Sequence, residues 1–196
     1  MRAFLIMSAI VSFSTQPTQS YPSSADLVAE INAVRTDPAA YAAHLQVFRN
    51  QFEGRVYRTP EGVHVRTQEG VAAVDEAILV LLARSPATAL VHDPALDAAA
   101  ADHVRDQGPA GLRGHTGRDG SSPTERGRRR GASTGVGENI AYGGGSAREV
   151  VIQLLVDDGV PDRGHRANTF RDYSSVGAAC GPHGVYRQMC VIDFGL

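Results

Sequence analysis

A chain of 196 residues, 42% hydrophobic and 20% charged, is long enough for one domain with a full core and hardly long enough for two. That composition is of a globular protein and excludes a disordered tail. The formal net charge of −2 provides no whole-molecule field that would select nucleic acid or membrane, and all 19 basic residues are Arg, which beside the Ala and Gly richness reads as coding bias more than mechanism.

Residues 1–20, MRAFLIMSAIVSFSTQPTQS, have the pattern of an export signal: Arg2, an apolar run from Ala3 to Phe13, then small and polar residues without a clean Ala-x-Ala. The run of eleven residues reaches about 17 Å as a helix against a hydrocarbon core of about 30 Å, too short for a membrane anchor. No other apolar run is long enough to span, so the sequence predicts a secreted or periplasmic protein.

The mature part, residues 22–196, opens on the capping signal Ser23-x-x-Asp26 ahead of Leu27, Ile31 and Val34 at helical spacing. Asp37 caps a second helix with Pro38 in its first turn. Residues 50–66 are polar and alternate weakly, a loop or small hairpin. A third helix follows in TQEGVAAVDEAILVLLARS, apolar at Val71, Val74, Ile78, Leu81 and Leu82. The fourth, in HDPALDAAAADHVRDQG, is capped by Asp93, started by Pro94 and stopped by Gly108. Beyond it the chain turns Gly-rich, with one short helix at Ser122-Pro123. VGENIAYG reads as a strand with Glu138, Ile140 and Tyr142 on one face. The capping box Ser146-x-x-Glu149 opens a helix over Ala147–Asp157, and residues 173–195 read as two antiparallel strands. Helices that precede and interrupt a few antiparallel strands predict a layered α+β domain, and no Pro/Ser linker divides it.

Cys180 and Cys190, the chain's two cysteines, bracket a Gly-Pro-His-Gly turn and can face each other across a hairpin. In an oxidising compartment they form a disulfide, in cytosol buried thiols; the export signal favours the bridge.

His44, His64, His92, His103 and His183 have no partner that the sequence names and read as surface or packing residues. His115 in RGHTG and His165 in RGHRAN differ, each following a Gly in irregular backbone, where binding groups concentrate. Glu138 starts a strand after a run of glycines that allows close backbone approach. Asp157 continues the inward stripe of Val150 and Leu154 at a helix C-terminus, where the macrodipole opposes an acid by about 0.3–1 kcal/mol. A carboxylate kept there points to a specific partner; Asp158 is the solvated alternative. Taken alone these residues are a weak signal, with no HExxH, CxxC pair or GxSxG. Arg126, Arg128, Arg129 and Arg130 are offset by Asp119 and Glu125 and lack interleaved aromatics, so they read as a solvated helix face, not a nucleic-acid surface.

Together, GENIAYG, then GHRAN and a final strand pair ending CVIDFG resemble the CAP superfamily of cysteine-rich secretory proteins, antigen 5, plant pathogenesis-related proteins and bacterial secreted relatives. HTGRDGSSPTERGRRRG resembles the bacterial first-histidine segment and HDPALDAAAADHVRD the helix before it; the likeness covers residues 86–196, with INAVR matching more loosely. Residues 45–85 read as an insertion in a single domain. The resemblance implies a three-layer α-β-α sandwich with a small antiparallel sheet and a large cleft, whose two histidines and two acids fall on His115, Glu138, Asp157 and His165. The segment VIQLLVD departs from the family, with Leu at both aromatic positions and Asp for Glu; the chain has no Trp and lacks the additional cysteines of many eukaryotic members. By the same resemblance His115 and His165 are expected to hold Zn²⁺ or another divalent cation. The expected partner is a lipid, a cell-wall component or an extracellular protein. The alternatives are a metal-assisted hydrolase with Glu138 or Asp157 as general base, the less favoured, and a purely structural polar cluster.

Overall fold

The computed structural model describes residues 20–59, 62–132 and 135–196; the expected export signal falls on residues 1–19, apart from its last residue, and so lies outside them. Each capping signal starts a helix. Ser23 and Asp26 form a capping box on α1 (Ser24–Thr36), and the Asp37 carboxylate accepts the Ala40 N–H at the start of α2 (Pro38–Arg49). The 50–66 stretch folds as three short antiparallel strands, β1 (Phe52–Glu53), β2 (Val56–Arg58) and β3 (His64–Arg66). In α3 (Val71–Ala83), Val74, Ile78 and Leu81 turn into the core and Leu82 turns out.

A second sheet has the order β4 (Val91–His92), β6 (Ser175–His183), β7 (Arg187–Gly195), β5 (Val136–Tyr142). β5, β7 and β6 pair antiparallel, but β4 pairs parallel with β6, so the sheet is mixed. Two residues carry no periodicity from which that edge strand could be read. Alternation along β7 builds the layers. Cys190, Ile192 and Phe194 join a core with Leu27 and Ile31 of α1, Leu81 of α3, and Val151 and Leu155 of α6 (Ala147–Val156). Met189 and Val191 face the other way, with Ile140, onto Ala100 and Val104 of α4 (Pro94–Gln107). Gly177 permits that second contact: a Cβ there would stand 2.3 Å from the Asp97 backbone nitrogen. The result is the expected α+β sandwich of helix, sheet and helix layers.

The hairpin disulfide is present. Cys180 and Cys190 are directly opposed in the β6–β7 register and bonded, with Cα atoms 4.1 Å apart. Among the described residues no helix is long and apolar enough to cross a membrane.

A candidate binding site at the sheet edge

β5 is an edge strand, and its consecutive residues Glu138 and Asn139 send their side chains to opposite faces. Glu138, buried on the α4 side, meets His115 Nδ1 through Oε1 at 2.8 Å and accepts from Arg126 Nη2 through Oε2 at 2.5 Å. Its side chain is 1% exposed while that of His115 is 51% exposed, so a buried charge holds a half-exposed ring. Arg126 belongs to α5 (Pro123–Arg129) and is itself buried, contrary to the expectation of a solvated arginine face. Only Arg126 and Gly127 turn inward, and Arg128, Arg129 and Arg130 remain outside. The available signal was Gly127, whose added Cβ would come 2.8 Å from Val136 Cγ2 and so marks the packed face.

The loop bearing His115 is bonded at nearly every residue. The carbonyls of Leu112, Gly114, His115 and Thr116 accept from His183 Nε2 (2.9 Å), His103 Nε2 (2.8 Å), Arg126 Nη1 (3.0 Å) and Gln107 Nε2 (2.7 Å), and the Gly114 N–H donates to the Tyr142 hydroxyl at 3.1 Å. His103 and His183, for which the sequence named no partner, are buried and hold the loop in place. A carbonyl only accepts, so each carries its proton on Nε2. For His183 this agrees with Nδ1 accepting the Val185 and Tyr186 N–H groups at 3.2 and 3.1 Å. Burial pushes His103 below the usual imidazole range, keeping it neutral.

The second histidine is not in irregular backbone as the sequence suggested, but in the first turn of a six-residue helix, α7 (Gly164–Thr169). The helix expected to run through Asp157 stops at Val156, and Asp157 is its cap in the left-handed region at φ 54°. That turn aims the carboxylate across the loop, where Oδ2 accepts the His165 N–H at 2.9 Å and Oδ1 meets His165 Nδ1 at 2.6 Å. Asp158 points elsewhere, accepting the Gln68 and Glu69 N–H groups at 2.7 Å each. Arg163 closes the same loop, donating to Glu69 at 2.7 Å, to Glu76 at 2.6 Å and to the Asp157 carbonyl at 2.8 Å. The Arg163 guanidinium bonded to it, with the Gly159 N–H, holds the Glu69 carboxyl down to about 2. α7 is fastened to the free edge of β5: Asn139 Nδ2 donates to the His165 carbonyl at 2.9 Å, and Asn168 Nδ2 donates to Asn139 Oδ1 at 3.1 Å.

The four sequence-selected residues thus form two dyads, His115–Glu138 and His165–Asp157, on segments anchored to adjacent residues of one strand. An ionised carboxylate cannot donate, so Nδ1 of each imidazole is the donor, and Nε2 has no protein partner among the described residues. Both carboxylates are committed, Glu138 to His115 and Arg126, and Asp157 to the ring and backbone of His165. Among the described residues no three His, Cys, Asp or Glu side chains are grouped to hold a metal ion. A closed site of three or four protein ligands therefore does not fit; an imidazole-anchored cation fits only with water or ligand completing its shell.

No curated protein matches the chain significantly. Among solved structures it is similar to an outer surface protein from Borrelia burgdorferi, at 21% identity and a TM-score of 0.46 over 54% of this chain and 76% of that one, a likeness too slight to bear on function. The model of the CAP, or cysteine-rich secretory protein, family matches residues 28–194, from the second turn of α1 to the end of β7. The chain belongs to the CAP family.

Proposed function

We propose that this CAP-family chain is an extracellular binding protein, secreted or periplasmic, whose ligand is met by His115 and His165 beside the edge of β5. One observation carries the reading: each imidazole is fixed through Nδ1 by a buried carboxylate, so both Nε2 atoms are oriented before any ligand arrives. The ligand classes in keeping with the family are a lipid, a cell-wall component or an extracellular protein. Nucleic acid is disfavoured, because Arg126, Arg129 and Arg130 are spent on Glu138, Asp119 and Asp102.

Zn²⁺ or another divalent cation is part of the proposal. His115 and His165 would hold it, with Glu138 and Asp157 as the hydrogen-bond partners that orient the rings, and it would supply positive charge where a ligand binds. Hydrolysis with Glu138 or Asp157 as general base is the weaker reading, since neither carboxylate is free of partners. Calorimetric titration of the metal-stripped protein with zinc tests this. We expect binding to the wild type and none to a folded His115→Ala/His165→Ala variant. Absence of binding in both, with the variant less stable, would make the dyads purely structural.

A further inference from the structure

Asp193 of β7 stands directly opposite Glu138 of β5, and both side chains point toward α4. It is fully buried, and neither carboxylate oxygen has a hydrogen-bond partner. Paired residues of neighbouring strands hold their Cβ atoms about 5 Å apart, so two carboxyl groups share one buried position. The surroundings offer little to a second negative charge. Across β6 lies Gly177, which has no side chain. On α4, Asp97 is engaged with Ser24, His92 and the Ala178 N–H, Asp106 accepts the Arg118 N–H, and buried His103 is held neutral on the Gly114 carbonyl. From α5, Arg126 gives both terminal nitrogens to Glu138, His115 and Ser121, and its unpartnered Nε makes no hydrogen bond to Asp193. Arg126 and Glu138 already balance each other; an ionised Asp193 would leave the buried group with a net negative charge.

We propose that Asp193 is a neutral carboxylic acid at neutral pH and donates its O–H to Glu138, making it a positioning residue for the Glu138–His115 dyad. Burial first, and then the Glu138 charge, push the Asp193 carboxyl well above the usual carboxylate range. The proton supplies the hydrogen bond that Asp193 lacks, and Glu138 is then held from three sides, by His115, Arg126 and Asp193. This inference does not depend on what the site binds.

The test is NMR on the full protein carrying ¹³C-labelled aspartate. At pH 7 a single aspartyl Cγ resonance should lie at the protonated position, and Asp193→Asn should remove it. Because Asn keeps a donor, Asp193→Asn should retain the ¹⁵N signature of the His115 Nδ1–H tautomer, and Asp193→Leu should lose it. The folding constant of the wild type should fall up to tenfold per pH unit above the ordinary Asp range, and that of Asp193→Asn should not. The proposal is overturned if every aspartyl carboxyl is ionised at pH 7, or if the Asn and Leu variants leave His115 in the same state. Should neither variant fold, the wild-type spectrum alone decides.

Discussion

Arg126 is one of four arginines crowded into five positions, yet it alone carries a buried charge. Its guanidinium neutralises Glu138 and ties down the carbonyls of His115 and Ser121. Arg126→Met should therefore destabilise the protein by about 3–5 kcal/mol, because Glu138 is left charged and unpaired in the interior. Arg128→Met, on the exposed side of the same helix, should change stability by no more than about 0.5 kcal/mol. Equilibrium urea denaturation of both variants checks the contrast. His115, Glu138, Asp157 and His165 were visible in the sequence because their family motifs are local. Arg126, His103, His183 and Asp193 were not, since each acts on a residue brought to it only by folding. Asp193 was hidden further because its partner is set by strand register, which a single strand does not disclose.

At the scale of elements, helix starts were the most legible feature. Ser23, Asp37, Asp93, Ser122 and Ser146 each cap the helix they were expected to cap, because a side-chain oxygen bonding an N–H two or three residues ahead is a local event. β4 and α7 escaped notice because two and six residues hold too little periodicity, and both depend on neighbours distant in sequence. The loop between α6 and α7 is likewise fastened from afar, by Glu69 and Glu76 on Arg163. Those acids are partly exposed, so Glu69→Gln/Glu76→Gln should lower global stability by only about 1 kcal/mol. Its clearer effect should be faster amide hydrogen exchange across residues 158–164, with α4 amides unchanged. The Glu69 carboxyl sits at about 2, below its unfolded value, so its contribution is complete above the ordinary Glu range and is lost as pH falls through about 2. Protection of the loop amides relative to their intrinsic exchange rates, measured down the pH scale, should fall in that window and not above it.

For the molecule as a whole, the three layers followed from alternation along a few strands, but their recognition in the sequence came from GENIAYG, GHRAN and CVIDFG more than from periodicity. The disulfide was legible because both cysteines lie in one hairpin. Cys180→Ala/Cys190→Ala should lower the free energy of unfolding by about 2–3 kcal/mol, as expected for closing a short loop. The denaturant slope m should change little, since the hairpin register is also held by backbone pairing.

Two imidazoles, locked through Nδ1 by Glu138 and Asp157, present free Nε2 atoms beside one sheet edge. Long-range ¹H–¹⁵N NMR of the histidine rings, recorded at neutral pH with and without zinc, tests it most directly. Both His115 and His165 should be Nδ1–H tautomers, with both Nε2 resonances moving on addition of zinc and those of His103 and His183 staying still. Nε2–H tautomers at His115 and His165, or Nε2 resonances that zinc leaves unmoved, would contradict it.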